Sequence, residues 1–268
     1  MTSKVAIIEV EKDANTALAD ALKLIGGIDD LNSSKLEVII KLGVFNPAQG
    51  QHTTIDVTRA IIDSFPQAPR ILLAESDNSR GTATDRLKIW RKLFSERVNP
   101  FSLSEDTFTK DVIIADEEMA LSHILFKSNV FISTHALRKY TKGTILKNLL
   151  GLVPMIKKSR FHKKLVAVLL DLYEAIGGID LAVIDATYTF PGPSFSEGVP
   201  TNLLVVGRDA VAVETVGAML MGLKPEKMPI IQEAIQRGLG EGSIEKIEVV
   251  GSSLKQSRKR IRQLLKRS

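Results

Sequence analysis

The sequence contains no cysteine. This absence excludes disulfides, a thiolate nucleophile, and any zinc site or iron–sulfur cluster ligated by cysteine within this chain. Long apolar runs are missing too, because no stretch reaches the roughly 18 residues that suggest a membrane-spanning helix. The first ten residues pass almost directly into a β-rich segment and show no secretory signal pattern. We therefore expect a soluble, cytoplasmic protein without a transmembrane segment.

Acidic residues are absent from one long stretch of the chain. Between Met119 and Leu170 there is no Asp or Glu, but there are ten Lys or Arg and three of the four histidines. Charge of one sign attracts a phosphate, a carboxylate or a nucleic-acid backbone. The cations of this stretch, called here the basic window, are Lys127, Arg138, Lys139, Lys142, Lys147, Lys157, Lys158, Arg160, Lys163 and Lys164.

The net charge of +5 is distributed unevenly. Residues 255–268 contribute +7 without a single acid, which leaves −2 for the rest of the chain. Within the segment 252–268, the apolar residues Leu254, Ile261, Leu264 and Leu265 recur at helical spacing. The pattern predicts a basic C-terminal helix that either packs on the body of the protein or binds nucleic acid or anionic lipid.

Short apolar segments rich in β-branched residues alternate with segments of helical periodicity. Val5–Val10, Glu37–Leu42 and Ile71–Ala74 are typical of buried strands, and Asn15–Ile25 is typical of a helix closed by glycines. Such alternation predicts an α/β fold with a mostly parallel sheet and flanking helices. We expect one domain over residues 1–251, with 99–111 as the junction if it has two lobes, followed by the C-terminal helix.

In a parallel sheet, ligands bind beyond the carboxyl ends of the strands. The segment Ile132–His135 is predicted to deliver His135 at such an end, and a Lys-Gly-Thr turn at 142–144 then opens a short helix that carries Lys147. Because N–H groups at a helix start bind anions, Gly143, Thr144 and Lys147 form a candidate anion site. The Walker spacing is missing. The alternatives are a capped surface helix with solvated lysines and a purely structural His135.

A second group of candidates follows another predicted strand. Asp185 ends that strand and Glu197 lies in the loop beyond it. Together with His135, these carboxylates would form an acid/base set or a site for a hard divalent metal, if the fold brings them together. We name His135, His162 and Asp185 as metal candidates, and note that Asp185 alternatively caps a turn.

Several motifs in a fixed order resemble the family called domain of unknown function 362, over about Val38 to Gly251. The resemblance adds Lys41, Thr53, Glu75 and Asn148 to the candidate ligand-binding residues but implies no particular reaction. Many members of that family carry an appended ferredoxin-like cluster module, which this cysteine-free chain lacks. The chain also has Leu42-Gly43 where the family usually has Pro-Asn. The motifs are Lys41 with Gly50 and Thr53-Thr54, Glu75-Ser76, Thr134-His135, Lys147–Gly151, Asp180–Asp185 and Gly207–Glu214.

A second, shorter pattern is similar to lactate racemase. In that enzyme a histidine, a Gly-rich turn, a lysine that carries a nickel-pincer nucleotide, a Pro-Gly and a metal-binding histidine follow one another. Here the corresponding order is His135, Gly143, Lys147, Pro154 and His162.

These observations predict an enzyme, or a relative of one, that binds a small phosphorylated or carboxylate metabolite. In this hypothesis Lys147 and the amides of Gly143 and Thr144 hold the anion, His135 moves a proton, and Asp185 orients His135 or holds a metal. The alternative is a nucleic-acid-binding protein, with an RNA-related role, that uses the basic window and the tail. A third hypothesis is a non-catalytic scaffold that binds partners through the tail.

Overall fold

The structure is a computed structural model that describes residues 2–47, 50–154, 158–192 and 197–267. A mostly parallel sheet of eight strands forms its centre, in the order β12-β1-β11-β10-β9-β2-β5-β6. Strand β11 runs antiparallel to both of its neighbours, and all other neighbouring pairs are parallel. The strands are β1 (Ser3–Glu9), β2 (Glu37–Leu42), β3 (Val44–Asn46), β4 (Gln51–His52), β5 (Ile71–Glu75), β6 (Val98–Ser102), β7 (Thr109–Ile114), β8 (Glu117–Ser122), β9 (Asn129–Arg138), β10 (Leu181–Phe190), β11 (Val199–Gly207) and β12 (Ile247–Gly251).

Helices cover both faces of the sheet, and polar side chains cap several of them. Asp13, Thr54 and Asp209 each accept a hydrogen bond from a backbone N–H in the first turn of the helix that follows. The α-helices are α1 (Ala14–Leu24), α2 (Ile55–Asp63), α3 (Ala83–Leu87), α4 (Leu165–Ala175), α5 (Ala210–Leu220), α6 (Pro229–Gln236) and α7 (Leu254–Leu265). The 3-10 helices are Lys88–Leu93, His123–Phe126, Lys147–Leu152, Arg160–Lys164, Pro225–Lys227 and Ile244–Lys246.

Alternation along each strand divides the apolar side chains between two cores. On the first face, residues such as Ile39, Phe131 and Ile184 pack against α4, α5, α6 and the buried Ile261 of α7. On the second face, residues such as Ile40 and Ile132 pack against α1 and α2. The side of the sheet on which a polar residue lies therefore follows from the apolar residues two positions away.

The predicted α/β class with a mostly parallel sheet is confirmed. The predicted strand Glu37–Leu42 matches β2, and the segment Ile132–His135 lies within the longer β9. Within the ranges given above, no helix combines the length and the hydrophobicity needed to cross a membrane.

Candidate functional site

A cavity of about 290 Å³ opens where β2, β5 and β9 end. Its wall is dominated by positively charged and polar side chains. The sheet thus places its polar strand ends around one space, which is where parallel sheets bind ligands. The lining residues are Lys41, Val44, Phe45, Glu75, Asn78, Ser79, Arg86, His135, Arg138, Lys147, Asn148, Leu150, Gly151, Lys158, Ser159 and His162.

Three charged side chains form two ion pairs at the base of the cavity. The Lys41 Nζ lies 2.6 Å from the Glu75 Oε1, and the Arg86 Nη2 lies 2.9 Å from the Glu75 Oε2. All three residues are buried. Burial lowers the pKa of Lys41, and the charge of Glu75 opposes that change. The Glu75 carboxylate is thus shared by two buried cations. This arrangement is rigid, because breaking either ion pair would leave a buried charge unpaired.

Asn148 joins this base to the helical segment above it. Its Nδ2 donates to the backbone carbonyls of Lys41 and Thr134 at 3.0 and 3.2 Å, and to the Ser133 Oγ at 3.2 Å. Its Oδ1 accepts from the Lys41 Nζ at 3.3 Å. The side chain therefore fixes the 3-10 helix Lys147–Leu152 over the ends of β2 and β9, and it sets the position of Lys147.

His135 lies on β9 and is buried within the cavity wall. Its Nδ1 lies 3.0 Å from the carbonyl oxygen of Ala136. Because a carbonyl only accepts, Nδ1 carries the hydrogen and the neutral ring leaves Nε2 as a proton acceptor. Burial, followed by the charge of Arg138, holds the pKa of His135 well below its usual range. The ring also needs Gly43, since a Cβ at that position would lie 2.2 Å from the His135 Cδ2.

Arg138 ends β9 as a buried guanidinium that has no direct salt-bridge partner among the described residues, while the charge of the buried Glu214 acts on it from a longer distance. It is only 6% exposed, and its Nε has no hydrogen-bond partner. In the parts of the chain that the structure describes, the guanidinium forms no salt bridge and contacts instead the ring faces of Phe45 and Tyr140, at 5.2 and 5.0 Å. Burial lowers the pKa of Arg138 to about 10, so it remains charged at neutral pH.

Two lysines add to this positive charge. Burial, followed by the charge of Arg138, lowers the pKa of Lys147 to about 7. Burial also lowers the pKa of Lys158, to about 8. The Lys158 Nζ donates to the Ser76 Oγ at 2.7 Å and to the carbonyl of Asp77. Lys147, by contrast, has no hydrogen bond or salt bridge to any residue within the described ranges.

The turn at 142–144, which the sequence predicts to bind an anion, lies against a carboxylate of the protein itself. The Thr144 N–H lies 2.7 and 2.9 Å from the two Glu214 carboxylate oxygens, and the Leu146 N–H lies 2.9 Å from Oε2. Glu214 projects from α5 and is buried, and burial raises its pKa against the effect of these hydrogen bonds. Gly143 has a φ of +94°, and a Cβ there would lie 3.1 Å from the Glu214 Oε2. The amides of this turn thus position the protein's own carboxylate.

Asp185 and Thr53 lie apart from the cavity. Asp185 is on the second face, where both oxygens accept hydrogen bonds from the Thr54 and Thr187 backbones and hydroxyls at 2.6–3.0 Å. The buried Thr53 Oγ1 lies 3.3 Å from the Thr134 hydroxyl. Glu197 is exposed. The structure therefore brings together Lys41, Glu75, His135, Lys147 and Asn148, but not Asp185, Thr53 or Glu197.

His162 marks the border of the cavity. It is exposed, and it also lines a second cavity of about 560 Å³ beside α4 and α6. Over residues 2–47, 50–154, 158–192 and 197–267, no group of three His, Asp or Glu side chains is arranged to hold a metal ion. Of the three metal candidates, His135 and His162 line one cavity and Asp185 does not. Lys157 and residues 193–196, which belong to the basic window and to the loop after Asp185, lie outside the described residues.

The cavity also contains residues that the sequence analysis did not single out. Arg86 comes from α3, and Arg138 and Lys158 are members of the basic window that had not been separated from its other cations. The position of Arg138 at a strand end, three residues after His135, is a usable signal. Nothing in the sequence indicates that Arg86 shares Glu75 with Lys41, or that Glu214 reaches the turn at 143–146.

The fold and this cavity define an α/β protein with a cationic cavity at the ends of its parallel strands. The family model described as Domain of unknown function (DUF362) matches residues 38–219, which is more than half of the chain. The chain belongs to this family. No curated protein matches it in sequence.

Proposed function

We propose that this protein is an enzyme, or a relative of one, that binds a small anionic metabolite in the cavity between β2, β5 and β9. The observation that carries the proposal is the buried guanidinium of Arg138. Removing a charged group from water costs several kcal/mol unless a partner compensates it. A phosphate or a carboxylate would be that partner, since a planar guanidinium binds both in bidentate geometry.

The charge of the cavity supports this proposal. Among the described residues of the lining, Glu75 is the one carboxylate, and Lys41 and Arg86 already neutralise it. Arg138, Lys147 and Lys158 then remain as excess positive charge, and the charges of Arg138 and Lys158 lower the pKa of Lys147. An anion among them would relieve this repulsion and raise the pKa values of both lysines. His135, neutral and with a free Nε2, supplies a proton acceptor beside the bound anion.

The experiment that tests this proposal measures anion binding in two matched variants. Oxalate and inorganic phosphate are titrated into the protein by isothermal calorimetry. We expect saturable binding of one of them, weakened at least about tenfold by Arg138→Met, because a charge-assisted hydrogen bond contributes about 1.5–3 kcal/mol. Arg160→Met is the control, since Arg160 belongs to the same basic window but is exposed and paired with Glu117.

Equal losses in the two variants, or no saturable binding by the wild type, would overturn the proposal. The melting temperature of apo Arg138→Met is compared with that of the wild type, because the variant loses the ring contacts with Phe45 and Tyr140 as well as the charge. An unchanged melting temperature shows that weakened binding does not reflect misfolding.

Nucleic-acid binding remains the second candidate, and α7 is the observation that favours it. The helix packs through the buried Ile261 and leaves four cations exposed, namely Lys255, Arg258, Lys259 and Arg262. In contrast, Arg138 of the basic window is buried, and Lys147 and Lys158 are partly buried. The part of the window that lines the cavity is therefore a weaker candidate than α7 for a nucleic-acid surface.

A further inference from the structure

The lysines of the cavity differ in what their amines contact. Lys41 donates to Glu75, to Asn148 and to the backbone carbonyl of Leu42, so its three hydrogens are in use. Lys158 donates to Ser76 and to the carbonyl of Asp77. Lys147 alone among these three amines has no partner in the described parts of the chain. Its Nζ is therefore free to contact a ligand.

The surroundings of Lys147 favour the uncharged amine. Cations approach it from several elements: Arg138 from β9, Lys142 from the turn before it, and Lys158 from the segment opposite. Two histidines, His135 and His162, line the same cavity. Burial and these charges lower the pKa of Lys147 to about 7. About half of the amine is then uncharged at neutral pH, whereas an ordinary lysine, with a pKa of about 10.4, is almost fully protonated.

A desolvated lysine beside another cation is a nucleophile for carbonyl carbon. From this geometry we infer that Lys147 forms a Schiff base with a small 2-oxo acid bound in the cavity. The inference rests on the proposed function, because the carboxylate of that 2-oxo acid occupies the anion site at Arg138. In a 2-oxo acid the carboxylate and the ketone are on adjacent carbons, which suits a cavity of about 290 Å³.

The covalent step balances without a further reactant. The lone pair of the Lys147 Nζ forms a bond to the ketone carbon, and the ketone oxygen leaves as water with the two hydrogens of the amine. The free Nε2 of His135 accepts a proton from nitrogen and returns it to the departing oxygen. The resulting imine withdraws electrons from C3, the carbon next to the imine carbon on the side away from the carboxylate. The class of reaction is therefore one that forms a carbanion at C3, such as proton exchange or aldol addition.

Reductive trapping tests this inference on the full chain. The protein is incubated with pyruvate and sodium cyanoborohydride at neutral pH, and the adduct is located by intact mass and peptide mapping. We expect one reduced adduct per chain, on Lys147. Lys147→Arg keeps the positive charge but cannot form the imine, so the adduct should disappear while oxalate still binds. Lys127→Met is the matched control, because Lys127 is an exposed lysine of the same basic window that lies before the start of β9, at the other end of the strand from the cavity, and the adduct should persist there.

The outcomes separate the two proposals. Oxalate binding without any adduct, or an adduct that persists in Lys147→Arg or spreads over exposed lysines, overturns the Schiff base and leaves the anion site standing. No binding of either oxalate or phosphate to the wild type overturns the anion site and this inference together. Loss of the adduct in Lys127→Met as well would show that the trapping depends on the overall positive charge and not on the Lys147 amine, which also overturns the Schiff base.

Discussion

Lys147 carries an unfavourable charge in the folded protein at low pH, and its cost is measurable without any ligand. The pKa falls from 10.5 to about 7 on folding. Below pH 7 both folded and unfolded states bind the proton, so the cost of the buried charge is fully present. Between pH 7 and 10.5 only the unfolded state keeps the proton, so the stability of the wild type rises with pH in this range.

We therefore expect Lys147→Met to raise the free energy of unfolding at pH 6, by about 1–2 kcal/mol after allowance for screening of a partly exposed group. The gain should shrink towards pH 9. Urea denaturation of wild type and variant at both pH values measures it, with Lys127→Met at an exposed position as the reference. An equal gain at pH 6 and pH 9 would contradict the charge-based explanation.

Single residues also show which parts of the site were predictable from sequence. His135 and Glu75 were predictable as site residues because they follow apolar strand segments. Asn148 was predictable because it belongs to a motif of the family. Asp185 also ends an apolar run, but its side chain lies on the opposite face, where Thr54 and Thr187 bind it. A one-residue difference in strand alternation decides between the two faces, and the sequence does not fix which face meets the ligand.

At the scale of secondary-structure elements, α5 determines where the turn before Lys147 lies. Glu214 from this helix accepts hydrogen bonds from the Thr144 and Leu146 backbones. Glu214→Gln replaces one acceptor oxygen by an NH₂ group that faces these donors. We expect a loss of about 1–3 kcal/mol in the free energy of unfolding, because buried donors are left unpaired.

Hydrogen exchange identifies the cause of that loss. The amides of Thr144 and Leu146 should exchange faster in Glu214→Gln. Reductive trapping at Lys147 should slow, because the turn no longer fixes the position of that residue. Glu233→Gln on α6 is the control. Glu233 forms a salt bridge with Arg237, and both residues lie far from the turn in the sequence. Unchanged exchange at both amides would show that the turn holds its position without the carboxylate.

The elements that were predicted and those that were missed differ in length and polarity. Long apolar segments such as β2 and β10 are evident from sequence, because both faces of a parallel sheet are buried. Strand β6 contains Pro100, which argues against a central strand, and the structure places β6 at the edge of the sheet, where a proline is tolerated. Half of the residues in the hairpin of β7 and β8 are polar, so the short apolar run Val112–Ile114 predicts a strand in β7, whereas β8 begins with two glutamates and does not stand out.

Across the whole molecule, two groups of basic residues differ in their exposure. One lines the cavity, where Arg138 is buried and Lys147 is partly so. The other lies on the exposed side of α7, where Arg260 pairs with Glu9 at 2.7 Å while Lys255, Arg258, Lys259 and Arg262 face solvent. Within the described residues these four form no salt bridge. The α7 group has the exposure that contact with a polyanion requires, as do the cations of the basic window outside the cavity, such as Lys139 and Lys163.

This separation predicts different responses to salt and to substitution. Replacing Lys255, Arg258, Lys259 and Arg262 together by Gln should weaken binding of a single-stranded RNA oligonucleotide and reduce the slope of log affinity against log salt, since the slope counts the phosphates neutralised. Oxalate binding and trapping at Lys147 should be unchanged, because α7 packs through Ile261 and not through these cations. Filter binding at several salt concentrations, with calorimetry in parallel, measures both. If the wild type binds no RNA at low salt, the nucleic-acid candidate fails and the anion site in the cavity is unaffected. If RNA binding is lost in Arg138→Met but kept in the α7 variant, the basic window is the polyanion site.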